Sequence, residues 1–556
     1  MIMKHYFKLF PAMALTMVLI FNSGCKKQLD LKPKDTLSDV IFYKTAADFK
    51  LAANGLYNSL QGLNFSDTET DIAFNTANAI SSGDYLPSET VSAWTDAYYY
   101  IRNANKIISK GEGLTDSGIK NYVAEARFFR AYNYWLLFRL FGGLPLISKV
   151  LDVDDPDLYV ARSTRKETAD FILNDLADAI ADLPVKSKVA GTDVGRITSG
   201  AASALMARVA LFEGTWQKYR NGDGTDYLNT AINAANTIIS SREYDLFIAK
   251  GAQSYRYLFI EEGDDSRESL LDRRHEVNIS GQQYPYSVVG TVCYLPTRKL
   301  ADMYLCKDGL PITKSPQFNG YSTVSSEYDN RDPRMTMTMV IPGTSIVEVF
   351  NPLVPVVNWP NSPQRNGNTG YITYKYLSEN VFGNTNNGDN FGYDHHIIRY
   401  AEVLMIYAEA MFEKNGALSD DDLNKSINLI RARVNMPLLS NVFLTTNGLD
   451  LKTELRRERN VEFALEGFRY DDIRRWKTAE TEMTQDIKGI KIKGTAWQTI
   501  APYSGAGYQA RTDANGFLIA QPASARSFNP EKHYLRPLPT KEIALYKGKL
   551  TQNPNW

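Results

Sequence analysis

The sequence predicts a predominantly α-helical protein in which two blocks of helices flank a long irregular middle. Segments at 45–250 and 397–476 place apolar residues at helical spacing between recognisable caps. Between 251 and 396 that period disappears, and Gly, Pro, Asn and Tyr dominate. Helices that follow one another in antiparallel pairs are the pattern of a helical-repeat array. No clean repeat of about 34 residues is present, so tetratricopeptide-type pairs would be degenerate here.

The elements follow in order. Thr45-Ala46-Ala47-Asp48 reads as a capping signal that opens a helix to about 60. A second helix is expected over 91–109. A third starts near 119, with Ile119, Tyr122, Val123, Ala126 and Phe129 on one face, and ends at Gly142-Gly143. Thr164-Arg165-Lys166-Glu167 is a capping box for a fourth helix that stops before Pro184. Segments 199–212 and 227–239 supply two more. In the middle, the apolar run 337–341 is expected as a strand. Helices return over 397–412, stopped by Asn415-Gly416, and Ser419 with Asp422 caps a helix through Leu423, Ile427, Ile430 and Val434. A charged helix is expected over 451–476, and 477–556 is an irregular C-terminal segment.

The N-terminus carries an address. Lys4 and Lys8 precede an apolar run over 9–21, too short to span a bilayer but suited to a signal peptide. Ser23-Gly24-Cys25 then places small residues before a cysteine, so 1–24 is expected to be a lipoprotein signal peptide and Cys25 the lipidated residue. Several acyl chains on Cys25 would hold firmly, because a single chain binds only marginally. Residues 25–556 would form one domain, anchored to the outer membrane and facing the exterior.

Composition narrows the function classes. With 62 basic and 63 acidic residues, no nucleic-acid partner is favoured. Three cysteines and five histidines give no disulfide framework and no CxxC, and no metal or cofactor is expected. No GxSxG, HExxH or phosphate loop occurs, and no catalytic residue is assigned. Glu458, Glu462 and Glu466 lie four apart, which would align three carboxylates on one helix face. Arginines at 456, 457, 459, 469, 474 and 475 favour ion pairing over metal or acid–base chemistry. Glu402 and Glu409 are expected to pair between helices. Asp394-His395-His396 looks like a ligand cluster, but adjacent residues of a regular element rarely aim at one metal.

Short motifs set in a fixed order carry a resemblance. They are Ile101-Arg102-Asn103-Ala104-Asn105, Glu125-Ala126-Arg127-Phe128-Phe129-Arg130-Ala131-Tyr132, and Phe141-Gly142-Gly143-Leu144-Pro145. Asp329-Asn330-Arg331-Asp332-Pro333-Arg334, Glu458-Arg459-Asn460-Val461-Glu462-Phe463 and Leu538-Pro539-Thr540-Lys541-Glu542 follow. Across nearly its whole length the chain resembles the SusD/RagB family of nutrient-uptake lipoproteins. The resemblance implies about four tetratricopeptide-like helix pairs packed against an irregular ligand-binding region with few short strands. It also implies a TonB-dependent, SusC-like β-barrel transporter as partner, over which the lipoprotein sits as a lid. Oligosaccharide is the expected ligand. Peptide, as for RagB-type members, is the runner-up, and a glycoside hydrolase is the alternative from another class.

In the family, ligand contacts tend to come from the stretch ahead of the first motif and from the irregular middle. Trp94, Tyr85 and Asn75 are the candidates in the first region, and Tyr286 and Trp359 in the second. Aromatic faces bury the apolar side of a sugar, and an amide both donates to and accepts from hydroxyls. Trp135, Trp216 and Trp476 fall in or beside helices and are expected in the core.

Overall fold

The computed structural model describes residues 42–75, 78–284, 294–346, 356–357, 369–378 and 390–556. Its backbone is a run of helices: α1 (Ala46–Asn54), α2 (Ser92–Gly111), α3 (Ser117–Phe141), α4 (Arg165–Asp182), α5 (Ser199–Lys218) and α6 (Thr225–Ser241). The chain then leaves the stack, crosses the irregular region, and returns as α7 (Tyr400–Asn415). Shorter helices α8 (Ile427–Arg433), α9 (Leu451–Glu462) and α10 (Arg469–Arg475) follow. Neighbours pack in succession, α2 on α3, α4 on α5 and α6 on α7, with α8 against α9. Four helix pairs are thus present among the described residues, and the third is closed only after the long excursion between Ser241 and Tyr400.

The predicted caps form. Thr45 with Asp48, Thr164 with Glu167 and Ser419 with Asp422 each make a reciprocal capping box. Gly142, at φ +79°, ends α3 in a conformation that side chains with a Cβ resist.

Several expected boundaries differ. The stretch expected as one helix over 451–476 is two, because Leu465 and Gly467 both take positive φ between α9 and α10. A Cβ on Gly467 would lie 2.6 Å from the Asn64 side chain, so this turn is also where the helical half meets the segment after α1. Ser426 breaks the helix expected from Ser419 onward into Asp420–Lys425 and α8. Residues 397–399, expected to begin a helix, instead belong to a strand, His395–Arg399, antiparallel to Ser269–Arg273. The run expected as a strand at 337–341 begins inside a short helix, Pro333–Thr338, opened by Asp332 and Pro333. The remaining strands are brief, such as Ala73–Phe74 against Leu295–Pro296 and Ile487–Lys491 against Phe517–Gln521.

Among the described residues two large apolar cores lie side by side, with a small third cluster of Ile260, Phe391 and Tyr393. The larger runs through the helix stack and holds Trp135, Phe138, Phe212 and Trp216. The second lies under the irregular half and gathers Tyr255, Tyr294, Tyr304, Met335, Tyr371 and Trp497. Trp135, Trp216 and Trp476 are buried, as expected.

Between the cores runs a buried ionic seam. Glu462 accepts from Arg399 at 2.6 Å, Arg433 at 2.5 Å and Arg334 at 3.0 Å. Glu458 pairs with Arg431 and Arg334, and Glu466 with Arg399 and Lys375. Ion pairing of the three glutamates is therefore observed, with different partners from those adjacent in sequence. Arg459 and Arg475 turn instead to Asp472, Arg469 to Asp71, and Arg474 to Asp471. Glu402 pairs with Arg208 and Glu409 with Arg475, both between helices. Burial alone would raise the Glu462 carboxyl; Arg433, Arg399 and Arg334 overcome it and hold it far below the ordinary range.

Candidate functional site

A groove opens where the helix stack meets the irregular half. One end is a cavity of about 560 Å³ between the first turns of α2 and the segment after α1. Ala93, Asp96, Ala97 and Tyr100 face it from α2, at the i, i+3, i+4, i+7 positions of one helix stripe. Asn58, Gln61, Asn64 and Phe65 face it from the other side. A second cavity of about 530 Å³ shares Asn58, Leu60 and Arg273 with the first and continues past Asn54, Tyr57 and His275.

Arg273 forms the wall common to both. It ends the Ser269–Arg273 strand, opposite His395 in the ladder, so its backbone is fixed. Its Nη1 donates to the Leu60 carbonyl at 2.9 Å, tying the irregular half to the segment after α1. His275 lies beside it, its Nδ1 donating to the Ser280 carbonyl at 2.7 Å and its Nε2 3.0 Å from the Tyr284 hydroxyl. Behind the groove, Gln61, Gly62, Asn64, Leu136 and Arg139 also line an inner polar chamber of about 90 Å³. That is room for several waters.

The groove mixes aromatic walls at Tyr57, Phe65 and Tyr100, exposed carboxamides at Asn58 and Gln61, an exposed carboxylate at Asp96 and the exposed Arg273 guanidinium. Such walls suit a polyhydroxylated ligand, which needs both donors and acceptors around an apolar face. Two other groove carboxylates are already engaged, Asp193 by Lys50 at 2.5 Å and Asp272 by His396 at 2.7 Å. For His396, burial alone would lower its pKa; the Asp272 carboxylate and the Leu258 carbonyl raise it to about 9. His395, buried beside it, falls to about 3 through burial and the neighbouring His396. The Asp394-His395-His396 run thus serves the scaffold, and no three metal-ligating groups cluster among the described residues.

The sequence candidates fall in different places. Trp94 does not face the groove: it lies in the first turn of α2, 3% exposed, packed on Tyr98 and edge-on to Phe141. One residue on a helix is a turn of about 100°, which sends Trp94 to the core while Ala93, Asp96 and Tyr100 face the groove. Tyr85 is half-buried away from the groove, stacked on His533 and tilted against Trp556. Asn75, half-buried after the Ala73–Phe74 strand, does not line the groove. Cys25, Tyr286 and Trp359 lie outside the described residues. Sequence reasoning missed Tyr100, Asn58 and Arg273. The only available signal was the Tyr98-Tyr99-Tyr100 run in a helix that buries just one of its faces.

A family model described as "SusD family" matches residues 257–556, more than half of the chain. The chain belongs to the SusD family. A second model, "Starch-binding associating with outer membrane", matches residues 29–211. The SusD-like protein P2 of Formosa agariphila is 26% identical over 584 residues, covering all of both chains. The starch-binding protein SusD of Bacteroides thetaiotaomicron is 24% identical, over 75% of this chain and 76% of its own. A crystal structure of a SusD-like carbohydrate binding protein from Bacteroides fragilis has a TM-score of 0.75 at 23% identity, over 91% of this chain and 99% of that one. The helix pairs and irregular half described above are therefore the SusD-like fold.

Proposed function

We propose that this SusD-family protein captures oligosaccharide at the cell surface and hands it to a TonB-dependent β-barrel transporter, for which it acts as a lid. The observation that carries the reading is the groove at the junction of the two halves, where Tyr100 stands among Asn58, Gln61, Asp96 and Arg273. A sugar ring would stack its apolar face on Tyr100, and its hydroxyls would exchange water for the surrounding amides and charges. Names among the relatives support this ligand class: one is a starch-binding protein and another a laminarin binding SusD-like protein. Binding without turnover also suits the groove, because Asp193 and Asp272 are held in ion pairs rather than poised as an acid and a base.

Attachment to the outer membrane through a lipidated Cys25 is part of the same proposal. Holding ligand beside a pore raises its local concentration even when intrinsic affinity is weak. The test is uptake by cells carrying a Cys25→Ala variant, together with extraction in mild detergent. The expected result is loss of acyl labelling, release from the membrane fraction and slower growth on oligosaccharide, with the native chain copurifying with a large β-barrel protein. A labelled, membrane-bound variant, or a native chain always recovered alone, would contradict it.

A further inference from the structure

Among the described residues, the groove contains one cation that is left without a carboxylate partner. Of the lysines and arginines on its walls, Lys50 pairs with Asp193 at 2.5 Å, Arg196 with Glu125 at 2.7 Å, Arg274 with Asp265 at 2.5 Å, and Arg139 with Asp471 at 3.1 Å. Arg273 has no carboxylate partner among the described residues. It is nevertheless held in place by its strand and by the single bond from Nη1 to the Leu60 carbonyl. Its remaining N–H groups are free to point into the groove at the boundary of the two cavities. A fixed, exposed guanidinium fork matches the geometry of a carboxylate or sulfate, to which it can donate two parallel bonds.

We infer that Arg273 is a specificity-determining residue that selects glycans bearing an acidic substituent, a uronate carboxylate or a sulfate ester. The inference rests on the proposed glycan-binding role of the groove. Tyr100 lines the same cavity as Arg273, so a sugar stacked on that ring places a substituent toward the guanidinium. Asp96, one turn before Tyr100, lies on the helix wall and would repel an acid directed the other way, which fixes the orientation of an acidic unit. A neutral glycan would use Tyr100 and the amides but leave the guanidinium hydrated.

The test titrates three oligosaccharides of equal length, a neutral gluco-oligosaccharide, an oligogalacturonate and a sulfated galactan fragment, against native protein, Arg273→Gln and Arg273→Lys. Native protein is expected to bind at least one acidic probe about tenfold more tightly than the neutral one, a charge-assisted advantage that weakens with salt. Arg273→Gln should bring acidic and neutral probes to equal affinity, and Arg273→Lys should keep only part of the acidic advantage. Which acidic probe binds separates carboxylate from sulfate. Equal binding of acidic and neutral probes, or an acidic preference that survives Arg273→Gln, overturns the inference while leaving glycan binding intact. Failure of every probe to bind folded protein removes both.

Discussion

The Glu462 carboxylate lies 2.6 Å from the Arg399 guanidinium, although 63 residues separate them and both side chains are shut away from solvent. The contact joins the end of α9 to the strand that leads into α7, and so joins the two cores. Three arginines share this one carboxylate, so its loss would strand buried positive charge. Glu462→Ala is expected to lower unfolding free energy by about 3–5 kcal/mol, the cost of breaking a buried pair from one side. Denaturant unfolding checks this, and a change below about 1 kcal/mol, the scale of an exposed pair, would show that the seam is dispensable.

The His396–Asp272 pair makes stability depend on pH at both ends. His396 is raised from 6.5 to about 9, so its contribution is complete below about pH 6.5 and is lost as pH rises through about 9. Asp272 is held below its ordinary value of 3.8: burial would raise it, and His396 overcomes that. Its contribution is accordingly present above pH 3.8 and lost in stronger acid. Melting temperature measured against pH should fall between about pH 6.5 and 9, and His396→Gln should flatten that fall. An alkaline slope unchanged in the variant would assign it to other groups.

Trp94 separates packing from binding. Because its ring is buried on Tyr98 and Phe141, Trp94→Ala is expected to cost about 3–5 kcal/mol of stability, the range for truncating a core aromatic. Ligand affinity of the folded fraction should remain unchanged. A stable variant with weakened binding would return Trp94 to the ligand site.

The helical half was legible in the sequence because its signals are local. Thr45, Thr164 and Ser419 each announce a cap within four residues, and the apolar spacing from Ile119 announces α3, although that helix is buried on nearly every side from Ala124 onward rather than on one face. The turn at Leu465 to Gly467 was hidden because its cause, the approach of Asn64, is distant in sequence. The seam was half legible: charge balance required partners for Glu462, but only folding brings Arg334, Arg399 and Arg433 to it. The groove was least legible. Its walls come from α2, the segment after α1 and the loop after Arg273, so no periodicity joins Asn58, Tyr100 and Arg273. The stretch ahead of the first motif offered Trp94, which lies on the same helix as Tyr100 and turns to the core.

The central claim is that this groove binds glycan through Tyr100, and titration calorimetry of native protein and Tyr100→Ala tests it most directly. The probes are neutral gluco-oligosaccharide, oligogalacturonate and sulfated galactan oligosaccharide. The account predicts that at least one binds native protein and that Tyr100→Ala weakens it by about 1–3 kcal/mol, with the melting temperature nearly unchanged. Binding of equal strength to native protein and a folded Tyr100→Ala variant, or no binding of any probe, would contradict it.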